Sequence, residues 1–166
     1  MQRIVEKLKE KNKTISTMES CTGGGVANVI TNIEGASEVL KFSAITYSNE
    51  YKIKMSVSSN VIDKYSVYSI ETAIEMSKNI SVFTNSNYGV GITGKLNRID
   101  KNNLHGSDNT VYVSIYDKDI DKFYNYSINV DKKSRKENKD LVINLIKDKL
   151  LEIIGDLYDK KYGVAF

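Results

Sequence analysis

Thr14-Ile15-Ser16-Thr17-Met18-Glu19-Ser20-Cys21-Thr22-Gly23-Gly24-Gly25-Val26 is the stretch on which the fold turns. From Thr14 to Met18, polar and apolar residues alternate as in a short half-buried strand, and Val26, Val29 and Ile30 then return at helical spacing. The segment therefore predicts a strand, a glycine-rich corner and a helix over 22–31. Glycines accept positive φ and let the backbone come close to a ligand. The free N–H groups of a helix's first turn favour an anion or a developing negative charge. Ser20 and Thr22 bring hydroxyls to the mouth of the corner. Nucleophilic chemistry, phosphate binding and simple helix capping by Ser20 or Thr22 are all open on this segment alone.

Outward from the corner, Ile4, Val5 and Leu8 predict a short amphipathic helix ahead of the strand. After it, Glu34-Gly35-Ala36-Ser37 reads as a turn. Phe42 to Tyr47 follows as a strand, and Ser48 caps a helix that carries Lys52 and Met55. A small helix lies near Val61 and Ile62. Ser69 then caps a long helix with Ala73, Met76, Ile80 and Phe83 on one face. Tyr88 to Thr93 is a strand whose Gly89, Gly91 and closing Gly94 signal close backbone approach. Residues 95–109 are polar and irregular. Thr110–Tyr116 and Phe123–Val130 form a hairpin through Asp117-Lys118-Asp119. A last helix over 136–154 buries Leu141, Val142, Leu145, Leu150 and Ile153. Strands alternating with helices, then a hairpin, predict a three-layer α/β/α sandwich on a mixed, mostly parallel sheet. Ligand sites on such sheets lie beyond the C-terminal ends of the strands, which groups Ser20, Tyr47 and Thr93 as candidates for one pocket.

The chain has 166 residues, the size of one domain, with residues 155–166 left as a tail after a domain over 1–154. Its net charge of +3 is spread over many lysines, so no concentrated basic face is available for nucleic acid. A single cysteine excludes an internal disulfide, and no apolar run reaches the length of a membrane span or signal peptide. A soluble, cytoplasmic protein is expected. The lone histidine, His105, has no ligand set around it in sequence, so no catalytic metal is expected.

Five motifs occur in order: Glu19-Ser20-Cys21-Thr22-Gly23-Gly24, Gly35-Ala36-Ser37, Tyr47-Ser48-Asn49-Glu50-Tyr51-Lys52, Ser69 to Met76, and Gly91-Ile92-Thr93-Gly94. Together they resemble the CinA C-terminal domain family over most of residues 3–153. The resemblance implies an α/β/α sandwich and nicotinamide-nucleotide amidase activity. That reaction hydrolyses the carboxamide of nicotinamide mononucleotide to nicotinate mononucleotide and ammonia, without a cofactor. It also implies Ser20 as nucleophile, Lys52 as the activating amine and Tyr47 as proton relay. Thr22, Gly23, Gly24 and Thr93 would line the site, and Arg135 is the candidate for the substrate phosphate. A homo-oligomer is expected. The chemistry suits these residues: with one histidine, a Ser-His-Asp triad has no partner set, a lysine or tyrosine base is the economical alternative, and Lys52 serves as base only with a lowered pKa. Cys21 is a rival nucleophile by chemistry, but a residue beside the nucleophile should face the other way, into the sheet–helix seam.

The chain departs from the family pattern after Gly94. There the family carries a glycine loop, and this chain has Lys95-Leu96-Asn97-Arg98-Ile99-Asp100 instead. Lys132-Lys133-Ser134-Arg135-Lys136 is basic without matching the family's arginine segment residue for residue. Two other readings therefore stand beside the amidase: a nucleotide-binding or assembly protein without turnover, and a hydrolase of another small amide.

Overall fold

The computed structural model describes residues 1–156. Five strands form one sheet in the order β2-β1-β3-β4-β5: β1 Ile15–Glu19, β2 Leu40–Ile45, β3 Tyr88–Gly94, β4 Thr110–Asp117 and β5 Lys122–Asn129. β1 pairs in parallel with β2 and β3, while β4 is antiparallel to both its neighbours. Half of the ladders are thus antiparallel, and β4 alone runs against the other strands. The helices are α1 Gln2–Glu10, α2 Gly25–Thr31, α3 Asn49–Lys54, α4 Ser59–Tyr65, α5 Ile70–Thr84 and α6 Arg135–Leu151. A π-helical turn, Glu152–Asp156, follows α6. None of the helices is long and apolar enough to cross a membrane.

Two cores lie on opposite faces of the sheet, which gives the three layers. On one face Ile4, Val5 and Leu8 of α1, Val26 and Ile30 of α2, and Val142, Ile146 and Leu150 of α6 cover Ile15, Val90, Ile92, Val113 and Ile115. On the other, Met76 and Ile80 of α5 pack on Met18 and Val57. Because successive side chains point to opposite faces, β1 carries Ile15, Thr17 and Glu19 on the first and Ser16 and Met18 on the second. All five residues of β1 are buried, not alternately exposed, because this central strand is covered on both sides. Its polar residues find partners instead of water, as when Ser16 Oγ meets Ser86 Oγ at 2.6 Å.

Gly89 and Gly91 face α5. A Cβ on Gly89 would lie 2.0 Å from the carbonyl oxygen of Ser77, and one on Gly91 2.3 Å from that of Ala73. The close approach foreseen for this strand is therefore made by a helix backbone. Four boundaries shift from the sequence reading. Positive φ at Gly23 (61°) and Gly24 (88°) delays α2 to Gly25. β2 ends at Ile45, where its partner β1 also ends, leaving Tyr47 two residues beyond the strand. Phe83 is exposed and meets the ring of Phe42 at 5.6 Å, off the buried face of α5. On α6 the buried stripe runs Asn138, Val142, Ile146, Leu150, a four-residue step that leaves Leu145 partly exposed. Of the expected tail, residues 157–166 lie outside the described residues; Ile153 and Ile154 before it are buried in the α1/α6 core.

Candidate active site

Ser20 follows the last residue of β1 and is held there by its N–H, which donates to Ile92 O of β3 at 3.0 Å. Lys52 lies on α3, whose start is fixed by Ser48 accepting from Tyr51 N–H. A lysine on a six-residue surface helix would ordinarily reach into water, yet Lys52 is 1% exposed. Its chain runs inward under Ser20. Nζ donates to Ser20 Oγ at 3.1 Å and to Thr46 O at 2.7 Å. Burial disfavours the ammonium form and lowers the Lys52 pKa from 10.5 to about 8. A hydroxyl thus sits against an amine that is partly neutral near physiological pH.

The corner itself is built differently from the sequence expectation. Glu19 is fully buried, and its carboxylate accepts from Thr22 Oγ1 at 2.6 Å, Thr17 Oγ1 at 3.1 Å, Val26 N–H at 3.0 Å and Ala27 N–H at 2.9 Å. The first-turn amides of α2 are therefore satisfied from inside the protein, and the anion favoured there is Glu19's own side chain. Thr22 supports this clasp. Gly23 and Gly24 form the turn, with Gly24 against Ile45 and Gly23 near Lys139 Nζ. Thr93 is also buried, its hydroxyl donating to Val67 O at 2.8 Å.

A cavity of about 710 Å³ opens at the C-terminal ends of β1 and β3, a size typical of small-molecule sites. Ser20, Cys21, Tyr47 and Arg135 line it; Thr22, Gly23, Gly24 and Thr93 do not. Tyr47 is exposed at the rim, and its Oη accepts from Arg135 Nη2 at 2.8 Å rather than meeting Ser20 or Lys52. Cys21 touches the cavity as well as the core, so it does not turn wholly into the seam. Burial pushes its thiol up to about 12, which leaves almost no thiolate at neutral pH. His105 lies outside the cavity, exposed, and no group of metal-ligating side chains exists among the described residues.

The remaining wall comes from residues that the sequence left as an irregular loop. Lys95, Arg98, Asp100, Asn102 and Asn103 all face the cavity, as does Tyr68 from the segment ahead of α5. Tyr68 Oη donates to Asp100, which also accepts from Asn102 N–H and Asn103 Nδ2. Burial and the Asp100 carboxylate raise the Tyr68 pKa, and the same bond lowers that of Asp100. Asn49 Nδ2 donates to Asn103 Oδ1 at 3.0 Å, tying the wall to the start of α3. Lys95 Nζ pairs with Asp108 at 2.9 Å. None of these residues has a periodic signature. For Lys95 to Asn103 only the position just after a strand ending in glycine pointed toward the site, and nothing in the sequence pointed to Tyr68.

Comparison with known proteins agrees with this architecture. A family model for the CinA C-terminal domain matches residues 1–153. Among relatives, a "Putative competence-damage inducible protein" of Thermoanaerobacter sp. (strain X514) is 41% identical over 96 residues, 57% of this chain and 23% of its own length. A "CinA-like protein" of Kosmotoga olearia is 44% identical over 92 residues, 55% of this chain and 22% of its own length. The aligned stretch thus spans under a quarter of these longer relatives. Two solved structures share the fold. A CinA superfamily protein from Klebsiella pneumoniae has TM-score 0.83 at 17% identity, covering 92% of this chain and 94% of that one. The protein CihA from Agrobacterium tumefaciens has TM-score 0.81 at 23% identity, covering 91% of each chain. With a family model that runs from the first residue through the end of α6, the chain belongs to the CinA C-terminal domain family.

Proposed function

We propose that this protein is an amidohydrolase that converts nicotinamide mononucleotide and water to nicotinate mononucleotide and ammonia. The observation that carries the reading is the buried Lys52 amine 3.1 Å from the Ser20 hydroxyl, with its pKa lowered to about 8. Ser20 Oγ attacks the carboxamide carbon while its proton passes to neutral Lys52. The tetrahedral oxyanion is met by a backbone donor of the corner, where Cys21 borders the cavity beside Ser20. Collapse breaks the C–N bond, and the Lys52 ammonium gives its proton to the leaving amide nitrogen, which departs as ammonia. Water, deprotonated by the same amine, then cleaves the Ser20 ester and restores the hydroxyl. For Tyr47, the proton relay that the resemblance implies, the support is its position on the cavity rim, where its hydroxyl accepts from Arg135.

The reading without turnover draws on the wall at 95–103, which replaces the family's glycine loop. Ammonia release from nicotinamide mononucleotide, measured beside the Ser20→Ala variant, decides between them. Release that vanishes in the variant supports the amidase. Binding without release refutes it.

A further inference from the structure

Tyr68 is a cavity phenol that the mechanism above leaves unused, and its backbone is tied to the catalytic corner in two steps. Ser20 N–H donates to Ile92 O at 3.0 Å, and the next residue of β3, Thr93, donates through its hydroxyl to Val67 O at 2.8 Å. Tyr68 follows Val67 and lines the same cavity as Ser20. The Cys21 thiol and the Tyr47 hydroxyl both lie close enough to act on its charge. A second phenol thus stands near the corner that carries Ser20.

The one proton of this phenol is already committed. Tyr68 Oη donates to Asp100, whose carboxylate also accepts from Asn102 N–H at 2.9 Å and Asn103 Nδ2 at 3.1 Å. Three donors on one carboxylate hold it ionised, so it has no proton to give back. What Tyr68 Oη offers the cavity is then lone pairs alone. Lys95 Nζ lies over the ring at 5.1 Å from its centre, and its charge is matched by Asp108 at 2.9 Å. A carboxamide and the carboxylate that replaces it have nearly the same shape, but the amide nitrogen carries N–H donors and the carboxylate carries none. An acceptor-only phenol accepts from the first and opposes the second with its own lone pairs and the Asp100 charge behind them.

We propose that Tyr68, locked as an acceptor by Asp100, is a specificity-determining residue that accepts a hydrogen bond from the substrate's carboxamide nitrogen and disfavours the carboxylate product. The inference rests on the amidase reading above. It gives the site a direction: the contact is present while the C–N bond is whole and turns repulsive once the acid is formed, which favours product release.

The test is calorimetric binding to Ser20→Ala protein, which leaves ligands intact, using nicotinamide mononucleotide against nicotinate mononucleotide and free nicotinamide against free nicotinate. Adding Tyr68→Phe is expected to lower the preference for amide over acid about tenfold or more. Asp100→Ala frees the phenol proton to turn toward the ligand, so the acid should bind more tightly, and that gain should shrink when Tyr68→Phe is combined with it. Equal loss of amide and acid in Tyr68→Phe, an unchanged ratio, a wild type without preference for the amide, or an Asp100→Ala gain that Tyr68→Phe leaves intact overturns the proposal. Ammonia release by the unaltered protein, measured in parallel, separates the two ideas. A Tyr68-dependent preference without release keeps this inference and removes the amidase, and release with a Tyr68-insensitive preference does the opposite.

Discussion

Replacing Lys52 by Met keeps the length of the side chain and removes the amine, and it should raise stability while abolishing turnover. In the unfolded chain this lysine titrates at its ordinary 10.5; in the folded protein burial brings it to about 8. At about 1.4 kcal/mol per pH unit, that difference corresponds to about 3 kcal/mol against holding the ammonium in the fold at neutral pH. Between pH 8 and 10.5 the unfolded chain binds the proton and the folded one does not, so wild-type stability contributed by this group rises with pH across that window. Lys52→Met removes the cost below pH 8 but also the bonds to Thr46 O and Ser20 Oγ, each worth about 1 kcal/mol. The net gain expected at pH 7 is about 1–2 kcal/mol, shrinking to a loss by pH 10.5. Urea unfolding of both proteins at several pH values measures the difference directly. In parallel, kcat/KM of the wild type should climb with pH to a plateau with its midpoint near 8, and the variant should lose about a hundredfold or more. A variant that is less stable at pH 7, with a difference that does not vary with pH, refutes the claim that the amine is held against its preference. Undiminished turnover removes Lys52 from the chemistry.

Glu19→Gln leaves a shape of nearly the same size but replaces one charged acceptor oxygen with an amide, and should cost about 2–3 kcal/mol in denaturant unfolding because a buried donor among Thr22, Val26 and Ala27 loses its acceptor; a cost below about 0.5 kcal/mol would mean the clasp contributes little. Gly91→Ala places a methyl on the backbone of α5 and should destabilise by about 2–3 kcal/mol; an unchanged urea midpoint would show that α5 shifts freely. Cys21, with its thiol at about 12, should react with iodoacetamide at pH 7.5 far more slowly than free cysteine, and a comparable rate would contradict the burial described. If the protein self-associates, the exposed Phe42, Ile45, Val82 and Phe83 beside the free edge of β2 are the apolar surface for it. Phe83→Asp should then lower the mass measured by light scattering, and an unchanged oligomer would place the interface elsewhere.

Much of this arrangement could be read from residue order, and the exceptions share a cause. Helical spacing located α5 because one buried face imposes a period, and alternation of residue type located β1 and the β4–β5 hairpin even though β1 is buried on both faces. Period says nothing about which polar residue on a fully buried strand is structural. Thr22, Gly23, Gly24 and Thr93 therefore looked like site residues, although the structure uses them to satisfy Glu19, to turn the chain and to hold Val67. Lys52 was legible only through its place in a motif; on spacing alone it is an ordinary lysine of a short helix. Arg98 and Asp100 were legible only as part of the irregular stretch after Gly94, since their contacts are with Lys133 and Tyr68, 35 and 32 residues away.

The reversed direction of β4 has a consequence for how such a site can diverge. Because β3 and β4 are antiparallel neighbours, the chain between them has only to leave one strand end and return beside it, with no crossover helix to accommodate. A loop in that position changes length cheaply, about 0.6 kcal/mol for each doubling by chain entropy. Ser20 and Lys52, by contrast, are locked to β1 and α3. Substrate choice and bond-breaking are thereby written on separable parts of the molecule, and exchanging residues 95–109 between relatives is a route to new amides that leaves the catalytic pair where it stands.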